Sequence, residues 1–204
     1  MRMSLADKKY VEGRLKDLLE QWQAPIVRWT IDWGWMDAQM EGLEYNTLRI
    51  NTKRSPAELL GLAMTEIREL RLGVDANDTK NMAEEVAGLF VRVVNLIAEL
   101  QLDQGVESFS HISTTIEKGT HFEEWYNHML DAMELLRKPG NDCTAVNHIL
   151  TAAYDAALWT WWTATPPAAP LEVGDQTVWQ WLDSAVRTEM AKNHTRPRRH
   201  GKLF

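Results

Sequence analysis

Residues 55–103 constrain the fold of this 204-residue chain more than any other stretch. They read Ser-Pro-Ala-Glu-Leu-Leu-Gly-Leu-Ala-Met-Thr-Glu-Ile-Arg-Glu-Leu-Arg-Leu-Gly, a short polar turn, then Asp-Thr-Lys-Asn-Met-Ala-Glu-Glu-Val-Ala-Gly-Leu-Phe-Val-Arg-Val-Val-Asn-Leu-Ile-Ala-Glu-Leu. The apolar spacing predicts two amphipathic helices joined as a hairpin. Ser55 with Glu58 spells a capping box, and Pro56 takes the first helical position. Gly73 is the expected stop of the first helix and Asp78 the expected N-cap of the second.

The acids of this hairpin point to chemistry. Leu59, Leu62, Ala63, Ile67 and Leu70 share one face of the first helix, and helical spacing puts Glu66 and Glu69 inside or beside that stripe. In the second helix Val86, Leu89, Phe90, Val93, Ile97 and Leu100 form the buried stripe, with Glu85 one turn before Leu89. Carboxylates are rarely buried unless a partner or a metal neutralises them. Three acids turned toward one seam predict a hard-cation site, most naturally Mg²⁺. The competing reading is a solvated helix face, where glutamates at i and i+3 are common.

Glu66-x-x-Glu69, the short turn, and Glu84-Glu85-Val-Ala-Gly-Leu-Phe-Val-Arg-Val-Val-Asn-Leu resemble the MazG-like, all-α nucleoside triphosphate pyrophosphohydrolases. The resemblance covers residues 55–103 and includes the Ser-Pro-Ala-Glu-Leu-Leu lead-in. It implies Mg²⁺, with Mn²⁺ as a substitute, held by Glu66, Glu69 and Glu85 against substrate phosphates. It further implies hydrolysis of a (d)NTP to (d)NMP and pyrophosphate, with one of these glutamates or Glu84 as proton acceptor. The family's Glu-x-x-Asp motif is broken here, because Gly88 stands where the last acid belongs. Asn95, seven residues further on, lies near the same stripe and is a candidate to bind a metal-held water or a phosphate.

The remaining helices are expected to serve this hairpin. Residues 4–23 carry a helical stripe that Pro25 should end. Residues 25–55 gather Trp29, Trp33, Trp35 and Tyr45, and hold either a short helix around 37–43 or a functional loop. There Trp33 is a candidate to stack on a base, with Lys53 or Arg54 near the phosphates; core filling by the tryptophan and a solvated basic pair is the competing reading. Residues 105–119 hint at a short helix. A second hairpin spans 120–164, opened by a Thr120/Glu123 capping box and turned at Pro139-Gly140, with Asn141-Asp142 opening its second helix. A last helix begins at an Asp175 cap, and residues 192–204 form a basic tail.

The second hairpin resembles a diverged copy of the first, with Asp131 and Glu134 in the places of Glu66 and Glu69 and Ile149 in that of Glu85. Two such hairpins would pack as a four-helix core, a single-chain imitation of a dimer, unless the chain itself dimerises. The expected fold is therefore a single all-α domain over 1–204, built on hairpins 55–103 and 120–164 with flanking helices. In that arrangement Asp131, Glu134, His148 and Asp155 would complete or flank the glutamate cluster.

Composition narrows the function classes. A net charge of −7 argues against general nucleic-acid binding, since duplex binders present a dominant basic surface. No apolar run reaches the roughly 20 residues of a membrane span, and the amino terminus lacks a signal-peptide core. The single cysteine, Cys143, excludes an intrachain disulfide and fits the cytoplasm. One cysteine and no paired-histidine motif argue against zinc. There is no P-loop, Rossmann glycine fingerprint, Glu-x-x-His pair or nucleophile signature. The expectation is thus a Mg²⁺-dependent nucleotide pyrophosphohydrolase; a catalytically degenerate relative that binds nucleotide or a partner, and a helical interaction module, remain open.

Overall fold

Six helices and one short β-ribbon make up the described residues of the computed structural model: 5–32, 36–39, 49–52, 55–100, 122–164 and 176–195. The helices are α1 (Leu5–Asp32), α2 (Pro56–Asp75), α3 (Thr79–Glu99), α4 (Phe122–Leu136), α5 (Asp142–Ala164) and α6 (Gln176–Thr195). The fold is an all-α bundle. Strands β1 (Met36–Gln39) and β2 (Arg49–Thr52) pair antiparallel, with Met36 opposite Thr52 and Gln39 opposite Arg49. Residues 37–39 of the expected helix around 37–43 are extended in that ribbon instead, and 40–43 lie outside the described residues.

The hairpin α2–α3 is built by the local signals in its sequence. The Glu58 amide donates to Ser55 Oγ at 3.3 Å and the Ser55 amide to a Glu58 carboxylate oxygen at 2.6 Å, completing the capping box. Asp78 accepts from the Asn81 amide at 3.0 Å and caps α3. Gly73, however, does not stop α2. The helix runs to Asp75, and Asn77 takes the left-handed conformation at φ +53°. The Asp78 amide donates to the Gly73 carbonyl at 2.8 Å and the Asn77 amide to the Val74 carbonyl at 3.0 Å, a Schellman closure. Gly73 serves packing instead: a Cβ there would lie 2.9 Å from Asn81 Nδ2 and 3.2 Å from Met82 Cγ. Its missing side chain lets the first turn of α3 approach α2.

Pro25 does not end α1 either; the helix passes through it to Asp32. An interior proline costs roughly 3 kcal/mol. The turns beyond it bury Ile26, Trp29 and Thr30 almost completely, and full burial of each large apolar side chain returns about 1.5–3 kcal/mol. Tertiary packing outweighs the local penalty.

One apolar core runs through all six helices. Its axis is α3, which packs against α1, α2, α5 and α6, while α2 also meets α4 and α4 pairs with α5. Phe90 on α3 is fully buried and meets the Trp22 ring edge-on at 5.6 Å. α6 is tied across the bundle by Trp22 Nε1 donating to Asp183 at 2.8 Å and by Trp179 stacked on Tyr154 at 5.6 Å. Among the described residues no helix is long and apolar enough to cross a membrane.

Candidate metal centre

The α2–α3 seam brings three glutamates together. One carboxylate oxygen from each of Glu66, Glu69 and Glu85 lies within 4.8 Å of the other two. Glu66 and Glu69 are one turn apart on α2, and buried Ile67 and Leu70 fix that face inward. Glu85 is held on α3 by buried Val86 and Leu89. All three side chains are half-buried, so they are accessible from one side and poorly hydrated on the other.

Crowding the acids has an electrostatic cost that falls on Glu85. Burial first, then a hydrogen bond and the charge of Glu66, then Glu69, push its carboxyl up to about 8. Like charges at this range cannot all ionise without a compensating cation. One such cation comes from the chain. Arg92 Nε donates to Glu66 at 3.0 Å, with the two side chains only 18% and 13% exposed. Fully ionised, three carboxylates beside one guanidinium would carry an excess of two negative charges. That charge and an all-oxygen donor set fit a hard divalent cation.

Gly88 shapes the centre by what it lacks. A Cβ at this position would stand 2.9 Å from Glu66 Oε2 and 3.1 Å from its Cδ. The Glu66 carboxylate thus occupies the space a side chain at 88 would claim, and turns from there to Arg92. Arg92 was not singled out by the sequence reading. Its signal was present, since 85, 88 and 92 recur on one helix face, but an arginine four residues after a glycine has no meaning until the carboxylate it pairs with is known.

The other expected site residues distribute differently. Glu84 points to the α6 side, where it is ion-paired with Lys192 and sits 3.9 Å from Lys80. Asn95 is buried and accepts a hydrogen bond from Thr30 Oγ1 at 3.0 Å, which locks α3 to α1. The same hydroxyl lies 2.8 Å from the Ile26 carbonyl and shares its one proton between the two acceptors, so Asn95 belongs to a helix–helix contact rather than to the glutamates. Trp33, Lys53 and Arg54 lie outside the described residues, as do 105–119, the Thr120 and Asp175 caps and residues 196–204 of the tail.

The residues expected to join the cluster from the second hairpin do not. Glu134 is exposed and paired with Lys138 at 3.1 Å, whose hydrogen bond and charge hold its carboxyl below the usual range. Asp155 is half-buried on α5 outside either group of metal-competent side chains. Asp131 and His148 do meet, but within their own hairpin and with a third residue, His128. Each hairpin carries its own cluster.

Compared with models of known protein families, with curated proteins and with solved structures, the chain matches none.

Proposed function

We propose that this chain is a Mg²⁺-dependent nucleoside triphosphate pyrophosphohydrolase, working in the cytoplasm and splitting a (d)NTP between its α- and β-phosphates into (d)NMP and pyrophosphate. The observation that carries the reading is the convergence of Glu66, Glu69 and Glu85 across one helical seam. The MazG-like spacing of those three acids supports the same reading.

Glu66, Glu69 and Glu85 would hold the cation, for which Mn²⁺ is a chemically similar substitute. When bound, Mg²⁺ neutralises phosphate oxygens and acidifies a water in its shell. The protein's own part is positional and protonic. One of the three glutamates would take the water's proton, and cation binding would keep Glu85 ionised against the burial and neighbouring carboxylates that raise it in the metal-free site. Arg92, fixed against Glu66, presents a guanidinium at the edge of the site where a phosphate oxygen can be bound. Glu84, committed to Lys192, steadies α3 against α6 rather than reaching the reacting atoms.

A second reading is favoured by one observation. The Arg92–Glu66 pair partly neutralises the cluster without a metal, next to the glycine that replaces the family's fourth acid. A chain with this arrangement can bind a nucleotide or a partner without turning it over. Incubation of the pure protein with a panel of NTPs and dNTPs, with and without Mg²⁺, separates the two. The enzyme reading expects Mg²⁺-dependent monophosphate and pyrophosphate, abolished in Glu66→Gln while the helical circular dichroism is unchanged. A blank panel with retained nucleotide binding leaves the degenerate binder.

A further inference from the structure

The α4–α5 hairpin holds a second cluster, chemically unlike the first. His128 Nδ1 and His148 Nδ1 face each other at 3.1 Å, and Asp131 Oδ2 lies 3.8 Å from His148 Nδ1. His128 and Asp131 are one turn apart on α4, and His148 comes from the facing turn of α5. The placement repeats that of the glutamates. Glu69 and Glu85 stand six residues from the facing ends of α2, at Asp75, and α3, at Thr79. Asp131 and His148 stand five and six residues from those of α4, at Leu136, and α5, at Asp142. Glu66-x-x-Glu69 with Glu85 thus has its counterpart in His128-x-x-Asp131 with His148.

We propose that His128, His148 and Asp131 form a binding site for a borderline divalent transition ion of the zinc class, bridging α4 and α5. Two imidazole nitrogens on one tetrahedral zinc, at bond lengths of about 2.0–2.1 Å, stand roughly 3.3–3.4 Å apart. The observed 3.1 and 3.8 Å separations reach that arrangement by small side-chain rotations. Imidazole donors select this class of ion over Mg²⁺, whereas the all-carboxylate cluster makes the opposite choice. Asp131 is 64% exposed in its side chain, so the site opens to solvent and leaves a fourth position for water or an added ligand. The competing explanation is a direct imidazole–imidazole hydrogen bond with the carboxylate at its rim.

The test is titration of the full-length chain with Zn²⁺ by calorimetry, and with Co²⁺ by visible absorption, in excess Mg²⁺ to occupy the carboxylate cluster. One equivalent should bind, with Co²⁺ giving the intense absorption of a low-coordinate nitrogen-ligated ion. His148→Ala and His128→Ala should weaken Zn²⁺ by more than the roughly 10–100-fold that loss of an outer-shell partner costs. Glu85→Gln should leave Zn²⁺ binding unchanged. The native protein supplies a readout that needs no variant: two of the six histidine rings should shift in ¹H–¹⁵N spectra on adding Zn²⁺. Unmoved histidine rings would overturn the site, as would zinc binding that survives His148→Ala and vanishes in Glu85→Gln. The outcome is independent of nucleotide turnover, so this site and the pyrophosphohydrolase reading can fail separately.

Discussion

Glu85 concentrates the electrostatic tension of the first hairpin in a single carboxyl. Its folded value of about 8 exceeds its ordinary value of 4.5, so folding favours the protonated form. The stability tied to that proton is fully present below the ordinary value and is lost as pH rises through the folded one. Thermal melts of the metal-free protein from about pH 5 to pH 9 should therefore show the native chain losing ground to Glu85→Gln as pH rises. At the alkaline end Mg²⁺ should recover the loss in the native protein, because the cation takes the place of the proton. Parallel pH curves for the two proteins would remove the electrostatic basis of the site. The same residue-scale reasoning separates Glu85, Glu66 and Glu69, which face one another, from Glu84, whose nearest charges are lysines.

The helices themselves record where local and tertiary preferences disagree. Pro25 lies exposed inside α1, and Pro25→Ala restores a helical donor at a small cost in unfolded-chain entropy. The expected gain is about 1–2 kcal/mol in denaturant unfolding. Two glycines of α2 make a matched pair. Nothing lies within 4 Å of a Cβ built on Gly61, so Gly61→Ala should stabilise by about 0.5–1 kcal/mol. Gly73→Ala gains the same helical propensity but drives a methyl against Asn81 and buried Met82. A net loss of about 1 kcal/mol is expected, and equal Tm shifts for the two variants would contradict the close approach of α2 and α3.

At the scale of the whole molecule, α3 links the parts. A helix that packs against four others cannot melt alone, so urea unfolding followed by far-ultraviolet dichroism and by tryptophan fluorescence should give coincident single transitions. Phe90→Ala, at the centre of the shared core, should cost about 3–5 kcal/mol and shift both signals together. Two separated transitions would mean that the hairpins are independent units. Each hairpin brings its own group of three metal-competent side chains together, Glu66, Glu69 and Glu85 in one and His128, Asp131 and His148 in the other.

Sequence alone determined the features whose physics is short-ranged. The Ser55–Glu58 box, the Asp78 cap and the 3.6-residue stripes of α2, α3, α4 and α5 depend on neighbours within a turn or two, and each is present as the residues imply. Helical spacing also sufficed to turn Glu66, Glu69 and Glu85 to one seam, since a short hairpin leaves little freedom of register. Tertiary structure decided what competes over longer distances. Burial of Ile26 and Trp29 carried α1 through Pro25, contact with Met82 gave Gly73 its purpose, and Thr30 drew Asn95 into the core. Arg92 and Glu66 are 26 residues apart, and His128 and His148 are 20 apart. Nothing local marks those partners, because ligands and ion pairs are chosen by where two helices meet, and the packing of the shared core sets that meeting.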